Sequence, residues 1–198
     1  VKNLLVANSI IIGLPSGEDT AAIGQTEYTI WGSDISGVVK GARGDYNVNI
    51  NNNYAHDLEA SAYHGEFFFM GGGPGDLVGG GPANVTVSNN WARAQSEGAN
   101  SGAVALLNDY DGSGVSVTHN YLDGNGNGVG FRGGAYTNKP GEFFYNVTFK
   151  DNVVQTNNAG QWTVDEVNAW CDTCPGMVWE NNVDENGNVY PEPTPING

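Results

Sequence analysis

Asp109 and Asp111, with Asp123 twelve residues on, are the densest group of side chains in this chain that could do chemistry. Two carboxylates held roughly 5–10 Å apart are what hydrolysis of a glycosidic bond requires. Glu66 with Glu97 is a second such pairing. Lys40, Arg43 and Arg132 are the notable cations, and Arg132, following Phe131, is placed to act as a base or to grip a uronate. The segments Asp109-Tyr110-Asp111-Gly112, Asp123-Gly124-Asn125-Gly126-Asn127 and Asp184-Glu185-Asn186-Gly187-Asn188 put oxygen atoms at alternate positions around a glycine, as a loop does when it wraps calcium. The candidate metal ligands are therefore Asp109, Asp111 and Asp123. Asp-Gly and Asn-Gly are also common turn formers, so a solvated turn is the plainer reading of each segment. His56, His64 and His119 form no metal-ligand spacing within one segment. Cys171 and Cys174, the only cysteines, are too few for a structural zinc site and suit a small disulfide in an oxidising compartment.

The elements that must position these residues follow one template. An apolar alternation such as Asn84-Val85-Thr86-Val87-Ser88-Asn89-Asn90 returns at Gly114–Asn120, Asn146–Asn152, Asn47–Asn53 and Gly176–Asn182, and with a terminal Ser at Asn3–Ser9 and Glu27–Ser33. The period is near 20 to 24 residues at first and lengthens to about 30 as loops are inserted. One such unit cannot bury its own apolar side, whereas stacked units pair their backbones and bury a continuous core. Val85 and Val87, Val115 and Val117, and Val147 and Phe149 are expected to point inward. The terminal residues Asn53, Asn90, Asn120, Asn152 and Asn182 are expected at the bend, in left-handed backbone angles, with their amides bonded from one unit to the next.

A short second strand follows the bend (Tyr121-Leu122, Val153-Val154). A third comes later, at Ala21–Ile23, Val38–Lys40, Phe67–Phe69, Ala103–Leu106, Val129–Arg132 and Gln161–Val164. The fold class is all-β: a right-handed parallel β-helix of about seven coils with an internal Asn ladder. It is expected to span residues 1–188, with an extended proline-rich tail at 189–198.

Among 198 residues, 30 are Gly and only 7 are Lys or Arg, the composition of turns and short strands. The net charge of -15 argues against nucleic acid and anionic membranes as partners, and no apolar run reaches the length of a membrane span. Val1 in place of an initiator Met suggests a processed form or a segment of something longer. Aromatic side chains recur at comparable phases. Since strand residues alternate, some must face out, and Trp31, Phe68, Trp91 and Tyr110 are the candidates for contact with a carbohydrate or a partner.

The stretch Asp19–Asp57, with Thr29-Ile30-Trp31, Gly37–Gly44 and Asn47 through His56-Asp57, resembles the central coils of pectate lyase-like β-helix proteins; Val129–Val153 looks like a later coil of that superfamily. The resemblance implies the right-handed β-helix. Calcium-dependent lyases of this kind also need carboxylates on adjacent strands and an arginine base. Where that pattern places its aspartates, this chain has Ser36 and Lys40, and in place of the arginine-rich segment Arg93 stands beside Glu97. The catalytic set is not carried over.

Two classes of function fit these residues. The first is an extracellular structural or adhesive protein, secreted or at a cell surface, that associates with copies of itself as a fibre or surface subunit. The alternative is a carbohydrate-active enzyme, a polysaccharide lyase or hydrolase using Lys40, Arg132, Asp109 and Asp111. A fragment like a phage tailspike is a further alternative.

Overall fold

The computed structural model describes residues 3–13, 21–24, 27–44, 46–58, 66–70, 83–94, 104–108, 112–123, 129–133, 144–155 and 176–189. Among these the regular structure is entirely β, in three sheets whose paired strands all run parallel. Strands are numbered in chain order. The first sheet has seven, in the order β1 (Leu4–Ala7), β3 (Tyr28–Trp31), β6 (Tyr46–Asn51), β9 (Ala83–Ser88), β12 (Gly112–Thr118), β15 (Phe144–Lys150) and β17 (Val178–Glu180). The second has six, β2 (Ile10–Ile12), β4 (Asp34–Ser36), β7 (Tyr54–Leu58), β10 (Trp91–Ala94), β13 (Tyr121–Asp123) and β16 (Val153–Gln155). The third has four, β5 (Lys40–Arg43), β8 (Glu66–Met70), β11 (Val104–Asn108) and β14 (Val129–Gly133). From β3 to β16 the chain visits the sheets in rotation, and each new strand pairs with the one laid down on the previous visit.

Alternation explains which residues these strands bury. In the first sheet Tyr28, Val48, Val85, Val115 and Val147 share one register column, and Ile30, Ile50, Val87, Val117 and Phe149 another. All ten are buried, and each contributes about 1.5–3 kcal/mol relative to an exposed position. The second sheet adds Ile35, Ala55, Ala92, Leu122 and Val154, also aligned and buried. The column through Phe149 continues to Trp179, whose ring stacks on it at 4.7 Å between centroids.

Between first and second sheets the chain turns through a left-handed residue: Asn8, Gly32, Asn52, Asn89, His119, Asp151 or Asn181, with φ of 50° to 61°. The sequence pattern had placed those angles one residue later, on the amides of the bend. The left-handed residue reverses the backbone so that the next side chain enters the core. Asn and Gly tolerate such angles best. Asn53, Asn90, Asn120, Asn152 and Asn182 are all buried. Each Nδ2 in turn donates to the next Oδ1, at 3.0, 2.9, 3.0 and 3.0 Å. Each Oδ1 from Asn90 onward also accepts the preceding ladder residue's backbone N–H. A second left-handed row, Asn3, Glu27, Asn47, Asn84, Gly114, Asn146 and Gly176, precedes or opens the first-sheet strands.

The third sheet departs from expectation. Val38 and Val39 are buried ahead of the strand, which starts at Lys40, and Ala21–Ile23 forms no strand. Gln161–Val164 lies outside the described residues. Phe68 was expected on a contact surface, but both it and Phe67 are fully buried. Adjacent strand residues point to opposite faces, so burial of both requires cover on both sides of β8.

Candidate functional site

The outer face of the second sheet gathers the described side chains best suited to chemistry. Tyr54, Trp91 and Tyr121 are register partners on β7, β10 and β13. Their rings lie 4.9 and 5.4 Å apart, the first pair tilted and the second within 4° of parallel. Because the rings cover one another's faces, Trp91 presents mainly its edge. Tyr121 is anchored by donating its hydroxyl to Gln155 Oε1 at 2.6 Å. Its pKa is raised, chiefly by burial and then by the charge of Asp123.

Beside this strip β7 carries one residue too many. Ala55 pairs with Ala92 and Leu58 with Ala94, so His56 and Asp57 together oppose Arg93. That is a β-bulge, with Asp57 in the left-handed region at φ 49°. It turns both side chains to one place. His56 Nδ1 lies 2.8 Å from Asp57 Oδ2, Nε2 lies 3.0 Å from Asp34 Oδ1 of β4, and the Tyr54 ring centroid is 4.6 Å away. Burial of the ring works to lower its pKa; the bonds to Asp57 and Asp34, with their charge, outweigh this and raise it above 6.5. With both ring nitrogens bonded to carboxylates, His56 has no free lone pair for accepting a substrate proton.

Asp123, a candidate calcium ligand from the sequence, is instead buried, with Oδ2 at 3.2 Å from Nε of Arg93. The third acidic loop also serves itself. Asp184 Oδ1 accepts the backbone N–H groups of Asn186 and Asn188, both at 2.8 Å, and Oδ2 accepts the Asn188 amide at 2.7 Å. The Asn188 side chain foremost lowers the Asp184 pKa; burial opposes it, and the backbone donors of Asn188 and Asn186 add to the lowering. Among the described residues no three His, Cys, Asp or Glu side chains are grouped to hold a metal.

Lys40 and Arg132 begin and nearly end the third sheet, on β5 and β14, with β8 and β11 between them. Three strand spacings, about 14 Å, and a register offset of five residues, about 16 Å along the strands, separate their backbones. Asp109, Tyr110, Asp111, Cys171 and Cys174 lie outside the described residues. Trp31 is on the outer face of the first sheet and 42% exposed. The His56 cluster was not foreseen, yet it leaves a trace in the sequence. Inward-facing Ala55 and Leu58 are three apart where strict alternation demands two, and that extra residue marks the bulge.

Compared with protein-family models, curated proteins and solved structures, the chain gives no match.

Proposed function

We propose that this chain is a right-handed parallel β-helix of about seven coils that works as an extracellular structural or adhesive protein, associating with copies of itself. The rotation of the chain through three parallel sheets supports the architecture, and parallel crossovers are right-handed in about 98% of cases. The observation that carries the function is the state of one end. β1 and β2 are the outermost strands of their sheets, and they expose Leu5 at 64%, Ile10 at 76% and Ile12 at 71%. The inward Leu4, Val6 and Ile11 beside them are only partly buried. An edge strand with large apolar side chains on show is a template for another chain. The far end of the second sheet is different: Val183, paired in parallel with Val153, is also bridged antiparallel by Val189, so a local turn covers that edge.

Association is tested by analytical ultracentrifugation over a range of concentrations, comparing the chain with Ile10→Lys/Ile12→Lys. Burying two Ile side chains at an interface is worth about 3–6 kcal/mol, so the double variant is expected to dissociate at least a hundredfold more readily with its circular dichroism unchanged. A chain that is monomeric at every concentration, or a variant that assembles equally well, refutes the proposal.

A further inference from the structure

His56 poses a question of proton count that geometry alone answers. A neutral imidazole has one N–H, yet both of its nitrogens here face carboxylate oxygens, at 2.8 and 3.0 Å. With a neutral ring and two ionised carboxylates, one contact sets a nitrogen lone pair against a negative oxygen. Both contacts are attractive only when the group Asp34–His56–Asp57 holds one proton more. The cluster also ties two strands at a weak point. Asp34 belongs to β4, His56 and Asp57 form the bulge of β7, and just past them the Gly37 N–H donates to the Asp57 carbonyl at 3.2 Å.

We propose that Asp34, His56 and Asp57 form a proton-operated latch: with the extra proton it fastens the β7 bulge to β4, and without it that end of the outer face loosens. This stands independently of self-association. The charged or titratable groups around the ring are Asp34 from β4, Tyr54 and Asp57 from β7, and Arg93 from β10, whose guanidinium is bonded to Asp123 of β13. The only cation opposite the bulge among the described residues is thus engaged elsewhere, and the two carboxylates dominate. Because His56 binds its proton more tightly when folded, the latch is fully fastened below about pH 6.5 and is lost as pH rises through its folded pKa. Tyr54 rests its ring against the imidazole and meets Trp91 in a tilted contact. Loss of the ring's charge also removes its attraction to that aromatic face, so the change reaches the aromatic strip.

The test uses the whole chain. Long-range proton–nitrogen NMR of the imidazoles, followed from pH 5 to 9, is expected to show both His56 nitrogens protonated at pH 6 and a midpoint above the ordinary histidine value. Asp34→Asn and Asp57→Asn should each bring that midpoint down. Amide exchange, corrected for its intrinsic pH dependence, is expected to show protection at Gly37 falling roughly three- to tenfold across the His56 titration and staying flat in His56→Gln. If a variant fails to fold, the unmodified chain still decides the matter. A His56 midpoint at or below the ordinary value, or Gly37 protection indifferent to the titration, overturns the latch.

Discussion

Asn120→Ala puts a figure on the buried amide row. Asn120 Oδ1 accepts the backbone N–H of Asn90 at 3.0 Å and its Nδ2 at 2.9 Å, while its own Nδ2 donates to the Val87 carbonyl at 2.9 Å and to Asn152 Oδ1 at 3.0 Å. Truncation strands two donors on Asn90 and takes a donor from two acceptors, where only 2% of the residue is exposed. An unsatisfied buried donor costs about 1–3 kcal/mol, so the substitution should cost about 3–5 kcal/mol, a large part of a domain's usual margin. Asn53 is the internal comparison. Its Oδ1 accepts one donor, the Ser33 N–H, and Asn90 Oδ1 keeps the Asn53 backbone N–H whatever side chain stands there. Asn53→Ala should therefore cost about half as much. Urea unfolding followed by circular dichroism and tryptophan fluorescence measures both. Asn120→Asp adds a sign: a carboxyl buried there has a raised pKa, so its cost should grow as pH rises from about 4. The reasoning fails if Asn120→Ala lies within about 1 kcal/mol of the parent, or if Asn53→Ala is the more damaging.

Two further outcomes follow from the packing. A Cβ on Gly41 would stand 2.6 Å from the Phe67 carbonyl oxygen and 2.9 Å from its ring, so Gly41→Ala must push β5 from β8 and should cost about 2 kcal/mol in the same unfolding assay. Arg93→Gln, which weakens the hold on a buried carboxylate, should cost about 1–2 kcal/mol, whereas Lys150→Gln, at an exposed pair with Glu180 2.9 Å away, should leave the unfolding midpoint unchanged. Equal effects of those two substitutions would show that burial of Asp123 does not set the difference.

What the sequence reveals depends on whether the controlling physics is local. The seven first-sheet strands and the place of the bend are legible because alternation and turn chemistry act over a few residues, and Val85, Val87 and Asn90 express both within six positions. The left-handed residue was harder to place. Asn89 and Asn90 are chemically alike, and only the backbone shows that the first bends and the second enters the core. Phe68 misled because alternation shows only that Phe67 and Phe68 face opposite ways, and no local pattern tells that both faces of β8 are covered. The His56 cluster depends on a register slip against β10, supplied from Trp91 onward, and on a carboxylate from Asp34; distance along the chain hides both, although the interrupted alternation at Asp57 betrays the slip.

Each strand's partners lie one visit earlier and one visit later, and Val85, for example, stands over Val48 and under Val115. Such a chain is built like a row of identical bricks. Removing Trp91 through Asn120 would carry Asn90 directly into Tyr121 and set Val85 against Val147 and Tyr54 against Tyr121, pairings of the same kind as those lost. Length is thus a quantity that lineages or engineers can adjust by whole courses, with the mortar between courses left as it was.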